Sequence, residues 1–424
     1  MRIGGEPASL SLASSVTAAG AASTRAQGPD RRNVVIPFHA NTLRPLKVRP
    51  LPDDWHPMSF DLDAALDNTV KIGASDLHVK VAAQPRVRVA GRLVDLPGSE
   101  TITPEDAIAV RDRVITAPAK QAEMDEIGST DSSYAAAGHR FRATAFSQRT
   151  FPSFVFRAVP DAPDAETLGL PTAVAKWGGE VKRGLVVVTG PTGSGKSTTC
   201  AAVIDGINAT RDCHILTIED PIEFLHQDKR AIVCQREIGQ DAPSYHVALR
   251  AAMRQDPDVI MVGEVRDEET AMTALRAAET GHLVLCTMHT IDAADTIQRF
   301  VDFFGEQRGP LARQMLAGTL VGVCSQRLIP AVKGGMALNA EVLINSSRVQ
   351  DLIVEGMSTS EVHKAIKEGD FYGMQSFDQS LLELVKDGSV SQEDALSYSS
   401  EPNDFRLSLQ TVGAAGQYAG VTGA

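Results

Sequence analysis

The sequence predicts a mixed α+β and α/β chain, with a small domain on an antiparallel sheet followed by a larger domain on a mainly parallel sheet. Three observations predict it. Between residues 60 and 160, apolar and polar residues alternate over short runs, as in strands with one face in a core and one in water. After Trp177 the runs become continuously apolar, at 185–188, 214–218, 259–262 and 283–285. Helical stretches separate them, as expected of strands buried on both faces of a parallel sheet. The first of these runs leads into a glycine-rich octapeptide that opens a helical stretch.

In chain order, residues 1–55 are rich in Ala, Ser, Arg and Pro, lack helical periodicity, and read as a disordered arm, with an organelle transit peptide as the other reading. The first domain spans 56–160. Leu62, Ala65, Leu66, Thr69, Val70 and Ile72 lie at helical spacing with Gly73 as a stop. Runs at 77–81 and 86–90 alternate as a hairpin does, and Thr103 caps a helix from Pro104 to Ile115. Two more strands are expected at 140–146 and 153–159. Pro160, Pro163 and Pro171 mark a linker over 161–182. The larger domain is expected at 183–402, ending in short helices and a flexible tail at 403–424.

Composition narrows the function. Of 424 residues, 43% are hydrophobic and 22% charged, the balance of a folded soluble domain. The net charge of −12 disfavours general binding to nucleic acid or anionic lipid. Five scattered cysteines without a Cys-x-x-Cys pair write neither a disulfide framework nor a tetracysteine zinc site, and a reducing, cytoplasmic compartment is expected. No apolar run is long enough to span a bilayer.

The residues that carry chemistry cluster after the strands. Gly190, Pro191, Thr192, Gly193, Ser194, Gly195, Lys196 and Ser197 form a phosphate loop between strand and helix. Its glycines let backbone N–H groups converge on phosphate oxygens, Lys196 reaches the β/γ oxygens, and Ser197 offers a hydroxyl to Mg2+. The strand at 259–262 ends in Gly263-Glu264, which places an acid at the ligand edge of the sheet as metal-shell ligand or as base for water. A second acid cluster, Glu219-Asp220-Pro221-Ile222-Glu223, follows another buried strand, and a turn at Pro221 is expected to bring Glu223 back over the sheet edge.

The ordered set 190–197, 217–223, 262–267 and 281–290 resembles the Walker A, Asp box, Walker B and His box of the secretion-superfamily ATPases. Within them it is most similar to the type IV pilus retraction branch, from about Asp61 to Asp404, including Gly73-Ala74-Ser75-Asp76-Leu77-His78 and Gly373-Met374-Gln375-Ser376-Phe377-Asp378. The resemblance implies a PAS-like N-terminal domain and a RecA-like C-terminal domain. It also implies a homohexamer with ATP between subunits, at the inner face of the cytoplasmic membrane against a pilus platform protein, powering twitching motility. Lys196, Ser197 and Thr198 would bind phosphate and Mg2+, Glu223 and Glu264 would be the Asp-box and Walker B acids, and His282 and His289 the His-box pair. By similarity to type II secretion relatives, Arg142 and Arg157 would reach a neighbouring subunit's nucleotide, with Arg254 and Arg266 as alternatives from within the second domain. Two departures stand out: Cys286 replaces a small Ser, and 347–355 matches only part of a C-terminal motif tied to retraction. The alternatives are therefore a secretion or conjugation ATPase and a nucleotide-gated scaffold that does not hydrolyse ATP. A DNA-translocating ring would need a basic channel, which the sequence lacks.

Overall fold

The computed structural model describes residues 60–419 apart from Met357, so the expected arm at 1–55 lies outside the described residues. The first domain begins with α1 (Leu62–Lys71), whose first turn is capped by the Asp61 carboxylate accepting from Ala64 N at 3.0 Å. The strands β1 (Asp76–Val79), β2 (Arg86–Val89) and β3 (Arg92–Asp95) follow. Next come α2 (Pro104–Val114), α3 (Pro118–Ile127), β4 (Ser129–Ala136), β5 (His139–Gln148) and β6 (Phe151–Ala158). Thr103 and Asp106 form a reciprocal capping box on α2. All six strands pair antiparallel in the order β3-β2-β1-β6-β5-β4. One face carries Leu77, Phe141, Phe154 and Phe156 into a core closed by Leu62 and Leu66 of α1 and Val110 of α2. β4 escaped the sequence reading because Ser-Thr-Asp-Ser-Ser lacks apolar alternation; it forms an edge, held by its ladder to β5.

The second sheet is built from β7 (Gly184–Thr189), β8 (His214–Glu219), β9 (Ile232–Glu237), β10 (Val259–Val262), β11 (Leu283–Met288), β12 (Leu320–Pro330) and β13 (Met336–Ile344). Its order is β13-β12-β7-β11-β10-β8-β9, parallel throughout except for β12–β13. The expected strands are therefore neighbours, and their carboxyl ends share one edge. Packed on this sheet are α4 (Thr172–Trp177), α5 (Lys196–Thr210), α6 (Tyr245–Ala252), α7 (Glu268–Glu279), α8 (Ala293–Asp302) and α9 (Gly305–Thr319). Val186, Val188, Ile204 and Ile207 fill one face, and Ile218, Leu249, Val262 and Leu275 the other. Both faces are dry, which explains the uninterrupted apolar runs.

Two expected boundaries change. The second half of the linker is α4, whose Val174 and Trp177 lie one helical turn apart and are buried against Ile204 and Val186. Only the stretch before α4 connects the domains. After α10 (Ser347–Glu355), α11 (Thr359–Lys367), α12 (Phe377–Lys386) and α13 (Gln392–Tyr398), the expected tail is α14 (Pro402–Ala419). Its Phe405 is buried with Leu381, Val390 and Ala395, an anchor the small-residue composition conceals. Among the described residues no helix is long and apolar enough to cross a membrane.

Candidate active site

The carboxyl ends of the parallel strands surround a cleft of about 410 Å3, lined by the phosphate loop and by Glu219, Glu223, Glu264, Thr287 and His289. This is the edge where open parallel sheets bind ligands. Gly195 stands at the N-cap of α5 with φ of 88° and no side-chain cap, a conformation open to glycine. The first-turn N–H groups of Lys196, Ser197 and Thr198 thus have no carbonyl within the helix, and with the helix dipole they favour an anion. Thr192, Gly193, Lys196, Ser197 and Thr198 line the cleft. Gly190 and Pro191 act through their carbonyls, which accept from Lys196 Nζ at 2.8 and 3.1 Å. Burial pulls the Lys196 pKa down, and Glu264 is the largest opposing influence. Ser194 is buried inside the loop, its hydroxyl without a partner among the described residues.

Glu264 follows β10 after Gly263 and is mostly buried, its side chain 15% exposed. Arg266 Nη2 donates to its Oε2 at 2.6 Å, and His289 Nε2 lies 3.3 Å from the same oxygen. Burial pushes the carboxyl up, but Arg266 and His289 together outweigh it and hold it below the usual carboxylate range. Glu223 is exposed and faces the same cleft.

Glu219, the last residue of β8, is a third acid of the site. Its Oε1 accepts from Thr217 Oγ1 at 2.6 Å and from Gln235 Nε2 at 3.1 Å, and burial raises its pKa. Strand parity was the available signal, since Thr217 and Glu219 share a face. The ends of β8, β10 and β11 are tied through Gly263: its N–H donates to Ile218 O at 2.7 Å and its carbonyl accepts from Thr287 Oγ1. A Cβ at Gly263 would stand 2.8 Å from Tyr245 Oη and 3.0 Å from Ile218 O. Gly263→Ala is therefore expected to destabilise the fold by about 1–3 kcal/mol and to shift Glu264, read as a lower urea midpoint together with reduced turnover.

The two histidines of the expected pair take different places. His289 follows β11 and touches Glu264, whereas His282 precedes β11 at the opposite edge of the sheet, roughly 20 Å away at ~3.3 Å per strand residue. The His282 ring instead lies 3.0 Å from Ala277 O and 3.2 Å from Thr280 Oγ1, closing the turn after α7. Arg142 and Arg157 are direct cross-strand partners on β5 and β6. Arg142 Nη2 pairs with Asp131 at 3.1 Å and Arg157 Nε with Asp76 at 2.9 Å, and neither lines the chain's own cleft. Of the alternatives, Arg266 is engaged with Glu264, while the exposed Arg254 bonds the carbonyl of Arg250 at 3.3 Å. Cys286 is fully buried, and burial raises its thiol pKa, as a packing residue requires.

Residues 176–401 match the Type II/IV secretion system protein family. The chain is 42% identical over 350 residues to the "Type IV pilus retractation ATPase PilT" of Pseudomonas aeruginosa, covering 82% of this chain and 100% of that protein. A crystal structure of the pilus retraction motor PilT with bound ADP superposes with a TM-score of 0.72 at 40% identity, covering 81% of this chain and 98% of that one. The ATPase DotB of Legionella pneumophila superposes with a TM-score of 0.69 at 27% identity, over 80% and 96% of the two chains. A phosphate loop facing an acid at the end of β10, on a two-domain fold shared nearly end to end with PilT, places the chain in the Type II/IV secretion system ATPase family, alongside the pilus retraction ATPases.

Proposed function

We propose that the chain is a Mg2+-dependent ATPase that works as a homohexamer at the inner face of the cytoplasmic membrane and retracts a type IV pilus against a membrane platform protein. The observation that carries the chemistry is the placement of Glu264, 2.6 Å from Arg266 and 3.3 Å from His289, in the cleft that also receives Lys196. The reaction is ATP plus water to ADP plus phosphate. Backbone N–H groups at the start of α5 bind the β-phosphate, and the Lys196 ammonium leaves the carbonyls of Gly190 and Pro191 to neutralise the β/γ oxygens. Glu264 orients the attacking water or accepts its proton, and His289 sits where it senses the γ-phosphate. Ser197, with Glu223 and Glu264 through water, fits the all-oxygen donor set of Mg2+, which when bound offsets phosphate charge. Steady phosphate release that a chelator abolishes and Mg2+ restores is expected; no release above background would reject hydrolysis and favour the scaffold reading.

A secretion or conjugation ATPase is the second reading, favoured by the partial motif on α10 and by the likeness to DotB. Pilus retraction in cells, lost on deletion of the gene and regained on complementation, would decide for the motor.

The arginines are testable by mixing. If Arg142 and Arg157 serve a neighbour's site, chains with both changed to Ala and chains with Lys196→Ala should each be inactive yet regain hydrolysis together, in a manner dependent on protein concentration. The control is wild type mixed with Lys196→Ala, which must stay active. A dead mixture beside a working control would move the role to Arg266 or Arg254.

A further inference from the structure

Glu237 ends β9 in register with Glu219 at the end of β8. It is 4% exposed, and it joins two domains. From the antiparallel-sheet domain, Ser133 Oγ lies 2.7 Å from both carboxylate oxygens and Arg140 Nη2 donates to Oε2 at 3.0 Å. On the other side Ile222 N donates to the same Oε2 at 3.3 Å. Ile222 is the middle of the acidic loop 220–224, whose Asp220, Pro221, Glu223 and Phe224 line the nucleotide cleft. The far end of that loop is held by the segment that connects the domains: Leu225 N donates to Pro160 O at 2.9 Å, and Ala162 N donates to Leu225 O at 3.1 Å.

We infer that Glu237 is a positioning residue through which the antiparallel-sheet domain sets the placement of the acidic loop over the cleft, an inference that rests on the ATPase reading of that cleft. The physical reason is the asymmetry of buried charge. A charge-assisted bond from the partly exposed Arg140 to a buried carboxylate is strong, and a buried carboxylate left without its guanidinium is costly. Rotation of the first domain therefore pulls on the Glu237 side chain, and through it on Ile222 N, or breaks the Arg140 contact, and the hydrogen-bonded segment at 160–162 moves Leu225 the same way. Glu223 lies between these two grips. By reciprocity, a nucleotide that draws Glu223 inward biases the orientation of the first domain. Arg142 lies two residues beyond Arg140 on the same face of β5, so the domain that grips the loop in one chain also carries the arginines proposed to serve the neighbour.

The test combines hydrogen–deuterium exchange of residues 219–225 with kcat and KM for ATP, in Ser133→Ala, Arg140→Ala, Glu237→Gln and their combinations. Each is expected to raise exchange of that segment about tenfold and to lower kcat about fivefold with KM changed less than about twofold, the signature of a displaced group rather than lost binding. Arg140→Ala combined with Glu237→Gln should be no worse than Glu237→Gln alone, and Arg140→Lys should restore part of the loss. Unchanged exchange at 219–225 in the Ser133→Ala, Arg140→Ala pair, or additive effects across the Arg140–Glu237 cycle, overturns the inference. If Glu237→Gln fails to fold, the two first-domain variants decide it alone. Because exchange is read without turnover, a wild type that releases no phosphate rejects the ATPase reading while the exchange result still decides the clamp.

Discussion

Lys196→Ala is expected to abolish tight ATP binding, weakening affinity by roughly ten- to a hundredfold or more, since a hydrogen bond to a charged group is worth about 1.5–3 kcal/mol and the ammonium makes more than one. The ammonium donates to two loop carbonyls, Gly190 O and Pro191 O. Pro191 is exposed and the Lys196 side chain itself borders the cleft, so water can enter where the ammonium stood; the variant should fold, and its thermal midpoint without ATP should stay within a few degrees of wild type. What should vanish is the upward shift of that midpoint on adding ATP, because ligand stabilisation follows the logarithm of concentration over Kd. An affinity within a factor of two of wild type would show that the helix N-terminus alone holds the phosphates.

Glu264→Gln should separate binding from chemistry, leaving ATP bound while kcat falls about a hundredfold or more, as general-base catalysis contributes ~10²–10⁴. Glutamine keeps the volume and an oxygen to accept from Arg266, so the pocket should persist while the charge is lost. Rapid-quench turnover with a separate nucleotide titration checks both halves. A wild-type rate would pass the base role to Glu223 and leave Glu264 in the metal shell. The sign of the pH dependence follows from the depressed pKa. A carboxylate held below its ordinary range by Arg266 and His289 stays ionised as pH falls from 7 to 5, so the Glu264 contribution is present above its lowered pKa and lost only beneath it. Arg266→Ala should move that acidic limb upward, since burial then acts with less opposition while His289 still opposes it.

The parallel strands, the phosphate loop and Glu264 were legible because each is local. Continuous apolar runs mark strands dry on both faces, and an octapeptide between strand and helix needs no distant partner. Polar or mixed segments were harder to read. β4 is serine-rich and held by its ladder to β5, and α14 is a small-residue helix fastened through Phe405. α4 hid among prolines because two buried residues, Val174 and Trp177, are too few to show a period.

For the site, the order of strands and motifs along the chain was enough to gather loop, acid and histidine at one cleft, since each follows a strand whose carboxyl end must face the same edge. What depends on neighbours across the sheet came only with the assembled fold. It separated His282 from His289 by the length of β11, and it turned Glu219 into a buried acid by setting Thr217 and Gln235 around it. It lowered the Glu264 pKa through partners two and twenty-five residues away, and it paired Arg142 with Arg157. It also brought Ser133 and Arg140 onto Glu237, about a hundred positions along the chain. The physical reason is the range of the interactions. Periodicity and glycine conformations are written within a few residues, whereas burial, charge pairing and strand register are properties of chain segments that meet only when the sheet is assembled.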